Sequence, residues 1–312
     1  MRAVMIRKFG GPEVLELAEV PHPYRGMSRS LIQVHAASVN PVDWRIRDGA
    51  AKRYVKATFP TILGCDLAGV VAQVRGRVSN FVVGDRVFAM MRHDWGAQAE
   101  LVALAEGLVV RLPSGLSMEE ATALPVPGLT ALRALRTRGK LQAGQRVLIN
   151  GGSSSVGMAA VQIAATDGAN VTAVCGQDSF GMLTALGATE LIDYRTTDFA
   201  AGPAKYDLIF DCIGNKPHSA CKGVINSRGA HVTTTPRGAV APPVLPPPSA
   251  RACACDCGRR VPEGSPGRTR LYASRACQQR AYRERRQPGD QATLGEFMNR
   301  NTAGAGGDQR EE

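Results

Sequence analysis

The chain has 312 residues, 44% of them hydrophobic, and a formal net charge of +11. That length accommodates two domains, and no apolar run approaches the ~18 residues of a membrane span. The first residues, MRAVMIRKFGG, lack the apolar core of a secretory signal, so the cytoplasm is expected, with the 8 cysteines reduced.

In chain order, residues 1–120 read as β-rich: SLIQVHAASV, LAGVVAQV and DRVFAM alternate or run apolar between Gly and Pro punctuation. From about 121 to 236 the pattern changes. VLIN, a helix to about Asp167, VTAVC, a helix to Leu186, ELIDY, DLIFDCIG and AHVTTT follow one another. Short buried strands alternating with helices predict an α/β domain with a doubly wound parallel sheet of βαβ units. At Pro236 the rhythm stops. Residues 237–250, RGAVAPPVLPPPSA, read as an extended Pro-rich linker. Residues 251–286 form a basic Cys-containing segment. Its ten arginines against three acids carry +7 of the chain's +11. Residues 287–312 read as a flexible polar tail with a short helix near 294–298.

The stretch VLINGGSSSVG (147–157) ends an apolar strand in a turn and opens a helix. A phosphate is held by backbone N–H groups at the positive end of a helix dipole, and glycines let the backbone approach. Gly151, Gly152 and Gly157 supply the turns. Ser153, Ser154 and Ser155 offer hydroxyl donors, and Val156 completes the cradle. A plain strand–loop–helix turn without ligand is the simpler alternative, and the complete βαβ unit argues against it. The second strand ends at Cys175, followed by GQDSF. An acid at that strand end favours NAD and a basic residue NADP. Asp178 lies three residues on, while Tyr194 and Arg195 after the third strand could stack on adenine and meet a 2′-phosphate. The residues leave NADPH and NADH both open.

VHAASVNPVDWRIRDG, PTILGCDLAGVV, VGDRVFAM, LPVPGLTALRAL, the glycine loop, LGATELIDY and FDCIGN come in one order. Together they resemble the medium-chain dehydrogenase/reductase superfamily, in its zinc-free quinone oxidoreductase (zeta-crystallin-like) branch, over residues 1–235. The resemblance implies a GroES-like β domain (1–120), a Rossmann domain (121–236) and an active site in the cleft between them. Zinc-dependent members carry Gly-His-Glu and a lobe of four clustered cysteines. Here Gly64-Cys65-Asp66 stands at the matching place, Cys65 is the only cysteine before residue 175, and His93 reads as surface. No catalytic zinc is therefore expected.

The resemblance implies hydride transfer from NADPH or NADH to a quinone or α,β-unsaturated carbonyl, in which the protein mainly positions and stabilises. It implies Asn40 as a polar contact in the cleft, with a loop cap as the alternative. It implies Thr130 as a contact on the nicotinamide side, with a helix cap or interior hydroxyl as the alternative. Tyr194 matches the adenosine-phosphate tyrosine, and Gly214 is implied beside the nicotinamide ribose. Tyr54 could line the cleft or sit on an exposed loop.

Three departures stand out. The family loop is commonly Gly-Ala-Ser-Gly-Gly-Val-Gly, and Ser154 and Ser155 replace two glycines. A serine forced to φ > 0 costs about 1 kcal/mol. Asp178 and Ser179 stand where NADPH users often carry Arg or Lys. After VTTTP the family continues its sheet, and nothing in 237–312 resembles that continuation, so the Rossmann domain reads as C-terminally truncated, with an exposed edge. Residues 253–286 resemble a degenerate zinc-ribbon or treble-clef module. Ala273 stands in place of one ligand, leaving Cys253, Cys255, Cys257 and Cys277 as candidate structural-zinc ligands. The alternative function is then a catalytically impaired Rossmann remnant whose basic module binds zinc or nucleic acid phosphates. No membrane partner is expected, and a homodimer is consistent with the family.

Overall fold

The computed structural model describes residues 1–23, 29–52, 57–76, 78, 80–91 and 95–234, and the backbone of Arg270–Ala273. The chain divides into two compact units, with the boundary between Val126 and Pro127. The linker 237–250, the tail 287–312, Tyr54, His93, Cys253, Cys255, Cys257 and Cys277 lie outside the described residues.

The first unit is built from β1 (Arg2–Ile6), β2 (Glu16–Glu19), β3 (Arg29–Val39), α1 (Pro41–Arg47), β4 (Thr61–Ile62), β5 (Asp66–Arg75), β6 (Arg86–Met90), β7 (Leu101–Ala105), β8 (Val109–Arg111) and α2 (Met118–Thr122). A small antiparallel sheet has the order β2-β1-β4. In the larger sheet the long β3 pairs antiparallel with β5 along most of its length and with β7 along its first half, and β5 continues to β6 and β8. Ile32, Leu67, Val71, Phe81, Val87 and Val102 fill the core beneath these strands. The β-rich reading of 1–120 omitted the short helices. Their signals were nevertheless present: Ser117 and Glu120 form a reciprocal cap at the start of α2.

The second unit begins within α3 (Pro125–Leu132), whose course continues through a wider π-helical turn at Arg133–Arg138. Then come β9 (Arg146–Asn150), α4 (Ser155–Thr166), β10 (Asn170–Cys175), α5 (Phe180–Ala185), β11 (Glu190–Asp193), β12 (Tyr206–Asp211), α6 (His218–Cys221) and β13 (Ile225–Thr233). All five strands run parallel in the order β11-β10-β9-β12-β13. This is the expected doubly wound sheet. The chain lays down β9, β10 and β11 in one direction, then crosses back to place β12 on the other side of β9. Val147, Leu148 and Ile149 of β9 are inaccessible to solvent, as are Val156, Ala160 and Ile163 of α4. Each such large side chain contributes about 1.5–3 kcal/mol relative to exposure. The expected helix ends at Asp167 and Leu186 are the C-caps of α4 and α5.

The sheet thins at β13. None of its nine residues is fully buried, whereas five of six in β12 are. Among the described residues β13 pairs only with β12. Within the basic segment the structure describes one strand, β14 (Arg270–Ala273), whose backbone runs parallel to β3 at Ala36, Ala37, Ser38 and Val39. No helix among the described residues is long and apolar enough to cross a membrane.

Candidate functional site

The glycine loop joins the C-terminal end of β9 to α4 at the point where strand order reverses, which in open α/β sheets is where ligands bind. Gly151 has φ +83°, and a Cβ there would lie 2.7 Å from Ile213 Cδ1. At Gly157 the constraint is contact: a Cβ would fall 2.1 Å from the Gly151 carbonyl oxygen. Only glycine lets the first turn of α4 close onto the loop. Gly152 donates its N–H to Val174 O at 2.9 Å, tying the loop to β10.

The serines sit comfortably. Ser154 has φ −74° and ψ 163° and is the N-cap of α4, which begins at Ser155. Neither position needs φ > 0, so replacing glycine there carries no backbone strain. The Ser154 hydroxyl accepts from Gly157 N at 3.0 Å and donates to Gly151 O at 2.7 Å. Of the three serines expected to be able to reach phosphate oxygens, Ser154 has its hydroxyl engaged in the cap. Ser155 is buried and Ser153 half-buried, and Val156 packs its side chain into the core.

Beside the loop, β10 ends at Cys175, whose side chain is buried. Burial, reinforced by Asp193, pushes its thiol up to about 11. It thus forms the floor of the strand end instead of offering a polar contact. Asp178 and Arg195 face each other above Gly176. Their closest nitrogen–oxygen distance is 4.0 Å, and both are exposed. The Arg195 guanidinium also lies 5.4 Å from the Tyr194 ring centroid, and that ring is 60% exposed. The structure therefore brings the three predicted adenosine-side residues to one place at the ends of β10 and β11.

On the other side of β9, Asp211 ends β12 and is 1% exposed. Its Oδ1 accepts from Asn150 Nδ2 at 2.9 Å, from Ile213 N at 2.9 Å and from Gly214 N at 2.8 Å. Asn150 Nδ2 also donates to Asn215 Oδ1 at 2.8 Å. Gly214, predicted from the family pattern, has φ +77° and is shaped by this carboxylate. Asp211 and Asn150 were not singled out from sequence. The available signal was an acid and an amide, each closing a buried apolar strand.

Asn40 lies in the first unit, at the N-cap of α1, and is 1% exposed. Its Nδ2 donates to Ser38 Oγ and to Asp66 Oδ2, both at 2.9 Å, and Ser38 Oγ donates to the same Asp66 oxygen at 2.8 Å. Asp66 Oδ1 accepts from Val126 N at 3.2 Å. Asp43 accepts from Asn40 N, from Gly64 N and, at 3.6 Å, from the Cys65 thiol. Burial pushes Asp43 up to about 6 and Asp66 up to about 7, against hydrogen bonds that pull the other way. Asn40 is thus both a cap residue and the hub of a buried cluster. Thr130 is half-buried within α3, away from either cap position. It lies in the other unit from Asn40.

Two family models match this chain. One is the alcohol dehydrogenase GroES-like domain, over residues 26–114, and the other is described as zinc-binding dehydrogenase, over 155–238. A chloroplast envelope quinone oxidoreductase homolog from Arabidopsis thaliana is 36% identical over 247 residues, covering 76% of this chain and 75% of the relative. The quinone oxidoreductase of Homo sapiens is 34% identical over 248 residues, covering 77% and 74%. Among solved structures, the quinone oxidoreductase from Coxiella burnetii superposes with a TM-score of 0.68 at 31% identity, covering 75% of each chain. The Escherichia coli quinone oxidoreductase complexed with NADPH superposes with a TM-score of 0.67 at 26% identity, covering 75% of this chain and 72% of that one. With both domains matched in order and three quarters of each relative spanned, the chain belongs to the medium-chain dehydrogenase/reductase superfamily, in its quinone oxidoreductase branch.

Proposed function

We propose that the protein transfers hydride from NADPH or NADH to a quinone or an α,β-unsaturated carbonyl, without zinc. The observation that carries this reading is the cradle at the strand-order reversal. Gly151 and Gly157 let the loop pack against Ile213 and close onto the first turn of α4, where any Cβ would collide with Ile213 or with the loop's own carbonyl, and this tight turn sets the N-terminus of α4 toward an anion. A bound dihydronicotinamide supplies the hydride; with one proton from solvent, a quinone becomes a quinol.

The chain's own residues bind and orient. Gly151, Gly152, Ser153, Ser155, Val156 and Gly157 hold the pyrophosphate at the N-terminus of α4, where the helix dipole favours anions. Asp178, Tyr194 and Arg195 receive the adenosine half. The wide Asp178–Arg195 pair is solvent-screened, so a 2′-phosphate can draw Arg195 away at little cost. Within the second unit Gly214 and Thr130 face the nicotinamide half; within the first, the amide oxygen of Asn40, which has no partner, is a polar group able to accept from a bound molecule. The zinc-free part of the reading rests on donor chemistry. Cys65 and Asp66 stand at the Gly-His-Glu position, and the oxygens of Asp43 and Asp66 are taken up by donors of the chain itself. Among the described residues no three His, Cys, Asp or Glu side chains are grouped to hold a metal. The reading extends to the cytoplasm, a reducing compartment in which the four described cysteines, all buried, stay thiols.

The test is fluorescence titration with NADPH and NADH, followed by their oxidation in the presence of a simple quinone. Binding and quinone-dependent oxidation are expected. Removing the screened carboxylate in D178A should strengthen NADPH about threefold, and R195A should weaken NADPH about fivefold while leaving NADH nearly unchanged. A folded protein that binds neither nucleotide overturns the proposal.

A further inference from the structure

One edge of the long strand β3 is divided between two partners. Ile32 pairs with Val71 of β5 and with Val102 of β7, so β5 and β7 lie on opposite edges of β3. Ala36 and Ala37 pair with Ala68 and Leu67 of β5 and also with Arg270 and Leu271 of β14. β14 therefore lies on the same edge as β7. The β7 register covers Arg29–Gln33 and the β14 register covers Ala36–Val39, the first antiparallel to β3 and the second parallel. Beyond β7 this edge needs a partner. Ala36, Ala37 and Ser38 are inaccessible to solvent, and a backbone N–H or C=O in such a place must be paired. Left bare, the edge would also invite pairing with other chains. Among the described residues, β5 and β14 are the strands in register with residues 36–39.

The same half of β3 leads into the buried cluster of the first unit. Ser38, in register with Tyr272, donates its hydroxyl to Asp66 and accepts from Asn40 Nδ2, and Asn40 directly follows Val39, the last paired residue. The backbone of β14 also approaches α2, which lies near β3 and β5 as well. A parallel partner cannot follow β3 through a tight hairpin and must return by a long connection. A segment from the last quarter of the chain, reached through residues 235–269, meets that requirement. We propose that residues 36–39 of β3 are a strand-docking site whose occupant is Arg270–Ala273 of the same chain, and that this docking holds Ser38 and Asn40 in place. The basic segment is then a latch on the first unit, a role that needs neither zinc nor nucleic acid. Strand addition draws its affinity from the main chain, so a segment of unusual composition can serve. The docking stands on the register alone; its effect on catalysis rests on the proposed function, through Asn40.

The experiment follows amide hydrogen–deuterium exchange in the full chain, as wild type, L271P/Y272P and L271V/Y272V, each checked by thermal melting. Proline removes the backbone N–H that a strand ladder uses, and valine keeps it. In wild type the edge-facing amides of Ala36–Val39 should exchange as slowly as those of Arg29–Gln33 beside β7. L271P/Y272P should speed the exchange at 36–39 by about tenfold or more and leave Val171–Val174 of β10 unchanged. L271V/Y272V should exchange like wild type. In quinone-dependent oxidation of NADPH, L271P/Y272P should raise the quinone KM about fivefold, while NADPH affinity, set in the second unit, stays within about twofold. Wild-type amides at 36–39 that exchange as fast as unpaired ones overturn the latch, as does unchanged exchange in folded L271P/Y272P. Faster exchange with an unchanged quinone KM overturns the hold on Asn40. Should L271P/Y272P not fold, the wild-type exchange decides alone. A wild type that binds no nucleotide overturns the proposed function, and the exchange pattern still decides the latch.

Discussion

In the first unit, Asp66 receives Ser38 and Asn40 on one oxygen and Val126 N on the other, and Asp43 likewise has both oxygens engaged. In the second unit, Asp211 receives three donors on one oxygen and none on the other. Both clusters are buried and both close the end of a sheet. They differ in direction. The first is wound among β3, α1 and β5, engages all four carboxylate oxygens and leaves the amide oxygen of Asn40 without a partner, and it holds the start of α1 and the Gly64–Asp66 turn in place. The second sits where parallel strands all end on one side, and parallel strands leave their last polar groups facing the same way. In the first cluster the unpartnered atom is a neutral amide oxygen, and in the second it is a carboxylate oxygen, whose burial costs more.

The sharpest way to break this contrast is Gly157→Ala. Its Cβ would meet the Gly151 carbonyl, so the loop must open, and NADPH affinity is expected to fall roughly 100-fold by fluorescence titration. Loss of less than threefold would mean the cradle is not the phosphate site.

The next test bears on the closed cluster. Folding raises the pKa of Asp43 from an ordinary 3.8 to about 6 and that of Asp66 from 3.8 to about 7, so folding favours their protonated forms. Their contribution to stability is complete below about pH 4 and is lost as pH climbs through 6 to 7. The melting temperature of the wild type should drop by about 5 °C between pH 5 and pH 8, and D66N should lose more than half of that dependence. A melting temperature that rises over the same interval would show that the donors around Asp66 outweigh its burial.

The smallest effect is expected at Ser154. S154A removes the cap of α4 and should cost about 1 kcal/mol, a shift of a few degrees in melting. NADPH affinity should change less than threefold, because the lost hydroxyl faces Gly151 and Gly157. A larger drop in affinity than in stability would return Ser154 to the phosphate.

The strand–loop–helix turn at 147–157 was legible in the sequence because everything it needs is local: an apolar strand, two glycines, and a third glycine at the helix start. Strand type and the doubly wound order followed from the alternation of short apolar runs with helices. The caps were less visible, since a serine in a glycine loop carries no mark of its φ. Ser154 shows its role only once α4 is seen to begin one residue later. The two polar clusters were not legible as clusters. Asn40 meets Asp66 only through the antiparallel register of β3 and β5, and Thr234 meets Asp211 only through the parallel register of β12 and β13. Such registers are properties of sheets, and no short window of sequence contains them.

The buried cysteines acquire a meaning once the acceptor class is considered. Quinones and enones are electrophiles that alkylate thiolates, so a protein handling them exposes its own sulfur to attack. Cys65, Cys175, Cys212 and Cys221 are all buried, and burial raises the pKa of the last three, Cys175 to about 11. At neutral pH a thiol with that value is ionised about once in 10⁴ molecules, and the thiolate is the reactive form. On the proposed function, the core that supports the strand ends thereby also shields these four thiols from the acceptor.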